Sequence, residues 1–315
     1  MILKFEKWHG AKNDFVVVWL TSSDGEIVLD SLKRSAARIC DRKGAGIAAD
    51  GILVLQTKNR SDLLPYGLTI INSDGSLAQN CGNGLRCAAL SVLRRHRLEG
   101  NPNELPEGIE LEVEGAKKIS RYTFGSGKTT WPHVTVEMGT PLLNDSCSWF
   151  ESAKSEVKRV SDELKIPELL SDFGVCEIGN RHLVFFVENA TRDMICRVGP
   201  AFQKSAVWDG INVHLAQAEE FSDKDKNIAK NAIGQKVSDQ YKVLVWERGA
   251  GETQACGSGA CAVVACAIAS GSSSPADWVA VNMPGGRLYV SQEQIDGEIS
   301  LAGPGEFVFE GSIEF

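Results

Sequence analysis

The sequence predicts an α+β protein of two pseudo-symmetric domains, each a curved mixed or antiparallel sheet around a central helix. Three observations support this fold class: many short apolar runs typical of strands, only a few helical patterns, and a Cys-Gly-x-Gly segment that occurs twice. The length of 315 residues also exceeds what one hydrophobic core usually supports. Two domains or an internal duplication are therefore expected.

The strands are predicted from short runs rich in β-branched and aromatic residues. Many of these runs alternate apolar and polar residues, which favours mixed or antiparallel sheet with one solvent-facing side over a buried parallel sheet. In chain order the runs are FVVVWL (15–20), GILVLQ (51–56), LTIIN (68–72), IELEVEG (109–115), HVTVEMG (133–139), HLVFFVE (182–188), YKVLVWE (241–247), WVAVNMPGG (278–286), RLYVSQ (287–292) and FVFEGSIEF (307–315).

Helices are predicted where apolar residues recur at helical spacing. The four such segments are DSLKRSAARICDR (30–42), GLRCAALSVLRRHRL (84–98), DMICRVGPAFQKSAVW (193–208) and GACAVVACAIASG (259–271). Segments 100–108, 219–240 and 271–277 are polar or rich in Pro, Ser, Asn and Gly, so we expect surface loops there.

Composition restricts the classes of partner. The net charge is −8 without a basic run, which argues against nucleic acid or an anionic membrane surface and favours a small molecule. No stretch approaches the roughly 20 apolar residues of a membrane span, and the N-terminus lacks a secretory pattern. We expect a soluble, cytoplasmic protein whose nine cysteines are mostly reduced, buried and inert.

An internal repeat links two distant parts of the chain. DGSLAQNCGNGLRCAALSV (74–92) and AGETQACGSGACAVVACAI (250–268) both lead through Cys-Gly-x-Gly into an apolar helix, with the cysteines 256 − 81 = 175 residues apart. GAKNDFVVVW (10–19) and GNRHLVFFV (179–187) are each a Gly-containing turn that enters a strand. This pattern indicates two related halves that face each other.

The repeated motif has a direct chemical reading. A cysteine at a helix start lies beside backbone amides without intrahelical partners, and the following glycines allow a ligand carboxylate to reach them. The same position lowers the pKa of a thiol. Two facing copies would hold one carboxylate between two thiols, which suits removal of the α-proton of an amino acid by one thiol and its return by the other, without metal or pyridoxal.

Other interpretations of these residues are weaker. Cys81 and Cys87, or Cys256 and Cys261, are spaced too widely for a usual zinc site, and a disulfide between Cys81 and Cys256 remains a hypothesis for oxidising conditions. GAGIAADG (44–51) does not follow the dinucleotide-binding spacing. Of the histidines, His182 could tune a thiol, whereas we expect the others, which are His9, His96, His133 and His214, to be structural or exposed.

At these residues the sequence resembles the diaminopimelate epimerase family, whose members interconvert LL- and meso-diaminopimelate without pyridoxal on the route to lysine and peptidoglycan. The resemblance spans nearly the whole chain. The motifs that carry it are GAKNDF, DRKGAGIAADGILVL, INSDGSLAQNCGNGLRC, GNRH, INV, ERGAGETQACGSGAC and GPGEFVFEGSI. It implies an isomerase with that family's fold, no cofactor and no metal, and a homodimer, for which Phe309 replaces a Tyr that some members have at the contact.

The resemblance also implies roles for individual residues. Cys81 and Cys256 would be the acid/base thiols, with the amides of Gly82, Asn83, Gly257 and Ser258 on the substrate carboxylate at the reacting centre. The far half of the substrate would be read by Asn13, Asn72, Asn180, Asn212, Glu247 and Arg248. His182 and Glu247 would tune the thiols.

Three departures from the family pattern lie near these residues: Lys12 and Ala48 stand where Gly is common, and Arg181 where Pro is common. We expect one domain of 1–122 plus 304–315 with Cys81, one of 123–303 with Cys256, and the site in the cleft between them. The alternatives are a related two-thiol racemase for proline, hydroxyproline or histidine, a non-catalytic amino-acid binding protein, or a redox-sensing dithiol.

Overall fold

The computed structural model describes residues 2–78, 81–100, 105–123, 131–205, 207–208 and 210–314. This part of the chain has both helices and strands in parallel and antiparallel pairs, which confirms the α+β class. By contacts between residues, the chain divides into two compact units, Met1–Val136 with Gly303–Phe315, and Glu137–Ala302.

The first unit surrounds a buried helix with a mixed sheet. Its elements in chain order are β1 (Ile2–Gly10), β2 (Asn13–Thr21), α1 (Gly25–Ile39), β3 (Gly51–Thr57), β4 (Gly67–Asn72), α2 (Gly82–Glu99), β5 (Gly108–Val113), β6 (Ala116–Thr123) and β7 (His133–Gly139). Helix α2 is buried throughout from Gly82 to Leu93, as expected of the central helix. Under α1, Leu32 and Ile39 pack on Ile52 of β3.

The second unit has the same kind of centre with more elements around it. Its elements in chain order are β8 (Leu142–Leu143), α3 (Phe150–Leu164), β9 (Phe173–Ile178), β10 (Asn180–Phe186), α4 (Arg192–Gln203), β11 (Asn212–Ala218), α5 (Asp223–Ile233), β12 (Val237–Glu247), β13 (Gly251–Glu252), α6 (Gly257–Ala269), β14 (Trp278–Met283), β15 (Gly286–Gln292) and β16 (Ile299–Gly303). One of its cores combines many aliphatic residues with buried aromatic ones, among them Phe185, Phe202 and Trp208.

Strand pairing follows the same sequence in both units. An antiparallel pair (β1–β2, β9–β10) is followed by a parallel pair across a helix (β2–β3, β10–β11) and another antiparallel pair (β3–β4, β11–β12). After α2 or α6 the chain adds a parallel strand (β5 on β4, β14 on β12) and two antiparallel ones. The duplication seen in the motifs therefore extends to the topology.

The C-terminal strand β17 (Glu306–Glu314) belongs to the first unit, where it pairs antiparallel with β1. The sequence division falls at residue 122, whereas the contacts place the end of the first segment at Val136. Residues His133 to Val136 of β7 pair with β6, which keeps them with the first unit.

Two helices differ from the sequence expectation. The segment 219–240, expected as a loop, contains α5 and the start of β12. Ala229 and Ile233 of α5 are buried against Ala280 and Tyr289, so the helix is held by one narrow apolar stripe. Helix α3 has no counterpart among the predicted elements. Residues 101–104 of the expected loop 100–108 lie outside the described residues.

No helix in the described ranges combines the length and the apolar character that crossing a bilayer requires.

Candidate active site

The first Cys-Gly-x-Gly turn forms the start of α2. Cys81 is the N-cap residue in extended conformation, with φ −143° and ψ 94°, and its Sγ accepts a hydrogen bond from the amide of Gly84 at 3.4 Å. A Cβ on Gly84 would lie 3.3 Å from that sulfur and 3.1 Å from Leu53 Cδ2. A methyl group at this position would thus be in close contact with the thiol and would require only a small shift of its neighbours.

Asn83, in the same turn, belongs to a polar network. Its side chain is buried, and its Nδ2 donates to Asn13 Oδ1 at 3.2 Å. Its Oδ1 accepts from Arg86 Nη2 at 2.6 Å. Asn13, which the resemblance assigns to the far half of the substrate, thus lies beside the turn that carries Cys81.

Asn72 is placed differently. It ends β4 and is exposed, and its Nδ2 donates to Ser76 Oγ at 2.9 Å within the turn that follows. Asn72 therefore stabilises a turn. Among the residues that the structure describes, it does not share the hydrogen bonds of Asn13 and Asn83.

The second Cys-Gly-x-Gly turn repeats the first at the start of α6. Cys256 is the N-cap residue with φ −131° and ψ 110°, and its Sγ accepts from the amide of Gly259 at 3.4 Å. The sulfur also lies 3.6 Å from Ser258 Oγ. Cys256 is only 6% exposed, and its amide donates to Met283 Sδ at 3.3 Å. Cys256 is therefore a buried residue whose sulfur also caps the start of α6.

The surroundings of Cys256 determine its protonation. Burial raises the pKa of this thiol well above its ordinary value, and the neighbouring carboxylate of Glu247 raises the pKa further. The hydrogen bonds from Ser258 and Gly259 act in the opposite direction and are outweighed. The structure thus reverses the expectation of a lowered pKa for Cys256. Glu247 itself accepts a short hydrogen bond from Thr253 Oγ1.

Three of the predicted substrate-binding residues form one cluster in the second unit. Arg248 Nη2 donates to Asn180 Oδ1 at 3.3 Å, and the backbone amide of Arg248 donates to Asn212 Oδ1 at 2.9 Å. The Arg248 side chain lies across Gly210, where a Cβ would come within 2.2 Å of Arg248 Cδ. Since Gly210 also has φ +78°, both space and backbone conformation require glycine there.

His182 has a partner that the sequence did not indicate. Its Nδ1 lies 2.9 Å from His214 Nε2, and both rings are fully buried. Burial lowers the pKa of His182 to about 3 and that of His214 well below its ordinary value, so both rings are neutral. His214 packs on Gly259, where a Cβ would lie 2.2 Å from its Cε1. The only signal for His214 was its position two residues after Asn212 on the same strand face.

Two of the three departures from the family pattern place a non-glycine residue where the backbone conformation favours glycine. Lys12 and Ala48 both have φ +62°, the left-handed region that glycine adopts most easily. Arg181 lies on β10, with its guanidinium over the ring of Trp149 at 5.8 Å. Its carbonyl accepts from Asn212 Nδ2 at 3.3 Å, so its backbone contributes to the cluster around Arg248.

Within the described residues, no three His, Cys, Asp or Glu side chains are grouped as metal ligands. All nine cysteines are free thiols. The described residues therefore provide two thiols at helix N-caps, backbone amides at two helix starts, and a cluster of one arginine with two asparagines.

A family model described as diaminopimelate epimerase matches residues 5–131 and 174–308. A protein named diaminopimelate epimerase from Trichodesmium erythraeum (strain IMS101) is 34% identical over 319 residues, which cover 99% of this chain and 100% of the relative. One of the same name from Geobacillus thermodenitrificans (strain NG80-2) is 30% identical, with 98% and 95% covered. The sequence resemblance is thereby confirmed.

Two solved structures share the fold at low identity. A phenazine biosynthesis protein of the PhzF family from Bacillus anthracis matches with a TM-score of 0.67 at 14% identity, covering 100% of both chains. A hydroxyproline epimerase from Agrobacterium vitis, with bound trans-4-hydroxy-L-proline, matches with a TM-score of 0.62 at 13% identity, covering 99% of this chain and 91% of that one. At these identities the likeness supports the fold alone.

Proposed function

Since the chain belongs to the diaminopimelate epimerase family, we propose that it is an isomerase that interconverts LL- and meso-diaminopimelate through two thiols. The observation that carries this proposal is the pair of N-cap cysteines. Cys81 and Cys256 stand in the same backbone conformation at two helix starts, each followed by Gly-x-Gly. One such turn is a common helix cap, whereas two matched turns with thiols suit a two-base reaction.

In the proposed reaction, a thiolate takes the α-hydrogen as a proton, so a C–H bond breaks and an S–H bond forms. The second thiol then gives its proton to the opposite face of the α-carbon, so an S–H bond breaks and a C–H bond forms. The configuration inverts, and the two cysteines exchange protonation states. No oxidation change occurs, and no group other than the two thiols is required for the transfer.

Negative charge moves onto the substrate carboxylate as the α-hydrogen leaves. The amides of Gly82 and Asn83 at one helix start, and of Gly257 and Ser258 at the other, are the donors we assign to that carboxylate. Because these amides are fixed by the helices before substrate binds, little reorganisation is needed when the charge develops.

The raised pKa of Cys256 assigns its first role. A buried thiol beside a carboxylate stays protonated near neutral pH, so we propose that Cys256 is the proton donor when turnover starts and that Cys81 is the base. In the reverse direction the roles exchange. His182, held by His214, and Glu247 are the groups we assign to tuning the thiols.

The cluster around Arg248 supports a long substrate with a second carboxylate. A guanidinium binds a carboxylate through two parallel hydrogen bonds, and Asn180 and Asn212 fix the orientation of the arginine. Glu247 precedes Arg248 and is the group we assign to the distal ammonium. Proline and hydroxyproline have no second carboxylate to occupy such a cluster.

The test is α-hydrogen exchange in heavy water. The purified, reduced protein is given LL-diaminopimelate without pyridoxal phosphate, and α-deuterium and the ratio of LL to meso forms are followed. We expect deuterium in both diastereomers as the meso form appears. Absence of exchange would refute the proposal, and exchange of proline, hydroxyproline or histidine in its place would assign the chain to a related two-thiol racemase.

The cellular setting is part of the same proposal. We place the reaction in lysine and peptidoglycan precursor synthesis in the cytoplasm, where nine free thiols remain reduced. We also propose a homodimer, because Val308 and Phe309 of β17 are 50% and 44% exposed. A monomer mass in light scattering would contradict the dimer.

A further inference from the structure

A continuous row of hydrogen bonds connects the surface of the first unit with its buried helix α2. Arg42 Nη2 donates to Asp50 Oδ1 at 2.7 Å, and Asn13 Nδ2 donates to Asp50 Oδ2 at 2.6 Å. Asn83 Nδ2 donates to Asn13 Oδ1 at 3.2 Å, and Arg86 Nη2 donates to Asn83 Oδ1 at 2.6 Å. We call these five residues the amide row.

Asp50 and Arg86, which flank the two asparagines, fix the direction of the amide row. An ionised carboxylate only accepts hydrogen bonds and a guanidinium only donates them. Asp50 therefore requires the nitrogen of Asn13 to face it, and Arg86 requires the oxygen of Asn83 to face it. These two orientations also place Asn83 Nδ2 opposite Asn13 Oδ1, as the hydrogen bond between them requires. Rotating either amide by 180° would place two donors or two acceptors opposite each other.

Asp50 and Arg86 are themselves held in place. Asp50 Oδ2 also accepts from the backbone amide of Asp14 at 3.0 Å, and Asp14 pairs with Lys7 at 2.7 Å and with Arg42. Arg86 is fully buried and its Nε donates to the carbonyl of Pro304 at 3.4 Å. The two asparagines are therefore flanked on both sides by groups with further fixed contacts.

This direction decides what the two asparagines offer to a ligand. Each has its oxygen occupied by a donor and one of its two N–H groups occupied by an acceptor. The second N–H of each finds no acceptor among the residues that the structure describes. Asn83 lies two residues after Cys81 at the same helix start and Asn13 contacts Asn83, so a carboxylate bound at this helix start would be matched by the N–H donors of the two side chains.

We propose that Asp50 and Arg86 are positioning residues that direct the N–H groups of Asn13 and Asn83 to the substrate carboxylate at the reacting centre. This inference rests on the proposed function, and it moves Asn13 from the far half of the substrate to the reacting half. Since charge grows on that carboxylate as the α-hydrogen leaves, the donors act mainly in the transition state.

Asp50→Asn tests the inference with almost no change of shape. Asn13 and Asp14 donate to one oxygen of Asp50 and Arg42 donates to the other, and the variant replaces one oxygen by an NH₂ group, so the remaining oxygen cannot accept from all three donors. We expect kcat for diaminopimelate to fall about 10-fold while KM stays within about twofold, as for weakened contacts made in the transition state. Asp50→Glu keeps two acceptor oxygens and should recover most of kcat.

Asp62→Asn is the matched control. Asp62 also accepts from a backbone amide and an asparagine side chain, both of Asn59, at 2.8 and 3.4 Å in the same unit. It should keep native kcat and KM. Native kcat in folded Asp50→Asn, or a change confined to KM, would overturn the inference.

A second measurement does not depend on catalysis. In the side-chain amide NMR spectrum, the Asn13 Nδ2 protons should be strongly inequivalent in the native protein and in Asp62→Asn, and should approach each other in Asp50→Asn. Unchanged Asn13 signals in Asp50→Asn would overturn the inference even if kcat fell. If the native protein fails to exchange diaminopimelate, the proposed function fails, and these signals still decide whether Asp50 orients Asn13.

Discussion

The turns at Cys81 and Cys256 have nearly the same backbone and different surroundings. Both cysteines are extended N-cap residues whose sulfur accepts from the amide three residues later at 3.4 Å. After Cys81 the helix start carries the bonded side chains of Asn83 and Arg86, and the cysteine is partly exposed. Beside Cys256 lie Ser258, Glu247 and Met283, and the cysteine is buried.

The difference separates two contributions to thiol chemistry. A helix start stabilises a thiolate by a modest amount, about 0.3 to 1 kcal/mol per charge. Burial and a nearby carboxylate oppose it, and at Cys256 they prevail, since the pKa is raised. A shared motif thus fixes where the sulfur lies, whereas the rest of the domain fixes whether it carries a proton.

The largest effect is expected when either thiol is removed. Cys81→Ala and Cys256→Ala should each lower epimerisation by about 10²- to 10⁴-fold, because each leaves one face of the α-carbon without its acid or base. The measurement is the approach to the LL/meso equilibrium. Cys266→Ala, which changes a buried thiol in the middle of α6, is the control and should remain active. Normal turnover in either of the first two variants would contradict a two-base reaction.

A smaller effect is expected when the environment of only one thiol is changed. Glu247→Gln removes the carboxylate that raises the pKa of Cys256, so that pKa should fall while burial still keeps it above its ordinary value. Alkylation of Cys256 by iodoacetamide, followed by peptide mass spectrometry, should therefore begin at lower pH. The variant also weakens the hydrogen bond that we assign between Glu247 and the distal ammonium of the substrate. Because a hydrogen bond to a charged group contributes about 1.5–3 kcal/mol, kcat/KM should fall by about 10- to 100-fold.

Glu252→Gln is the control for this variant, since Glu252 pairs with Arg192 instead.

The raised pKa of Cys256 also makes the free energy of unfolding decrease at alkaline pH. A thiol whose pKa is raised on folding contributes stability that is fully present below the unfolded pKa, near 9.0, and is lost as the pH rises. Glu247→Gln should weaken that alkaline loss. An unchanged alkylation profile would show that Glu247 does not act on Cys256.

The sequence predicted those parts of the molecule that depend on local pattern. The apolar helices after Cys81 and Cys256, and the strands with alternating residues, lie where their periodicity placed them, because burial of one face is visible in the order of residues. Helices α3 and α5 were missed, since only a narrow stripe of each is apolar and most of their residues are charged or polar.

The roles of the candidate site residues stay predictions, but part of their arrangement was visible in the sequence. Motif spacing singled out Cys81 and Cys256 as candidate thiols at helix starts, and the adjacency of Glu247 and Arg248 was visible directly. The contact of His182 with His214, and that of Asn13 with Asn83, join residues 32 and 70 positions apart. Such contacts, and the burial that raises the pKa of Cys256, arise from tertiary packing that one sequence does not display.

The smallest effect, and the closest comparison of the two turns, comes from adding one methyl group to each. In Gly84→Ala the atoms nearest the new Cβ are Leu53 Cδ2 and Cys81 Sγ, at 3.1 and 3.3 Å, and alanine favours the helix by up to about 1 kcal/mol. In Gly259→Ala the Cβ would lie 2.2 Å from the ring of His214, which is buried and hydrogen-bonded to His182. We expect Gly84→Ala to change the free energy of unfolding by less than about 1 kcal/mol, and Gly259→Ala to lower it by about 1–3 kcal/mol. Urea unfolding at pH 7 measures both.

The double variant His214→Ala, Gly259→Ala tests the contact directly. It should lower the free energy of unfolding by less than the sum of the two single changes, because the ring that the methyl group would clash with is absent. Additive effects, or equal effects at the two glycines, would mean that His214 does not support the turn that carries Cys256.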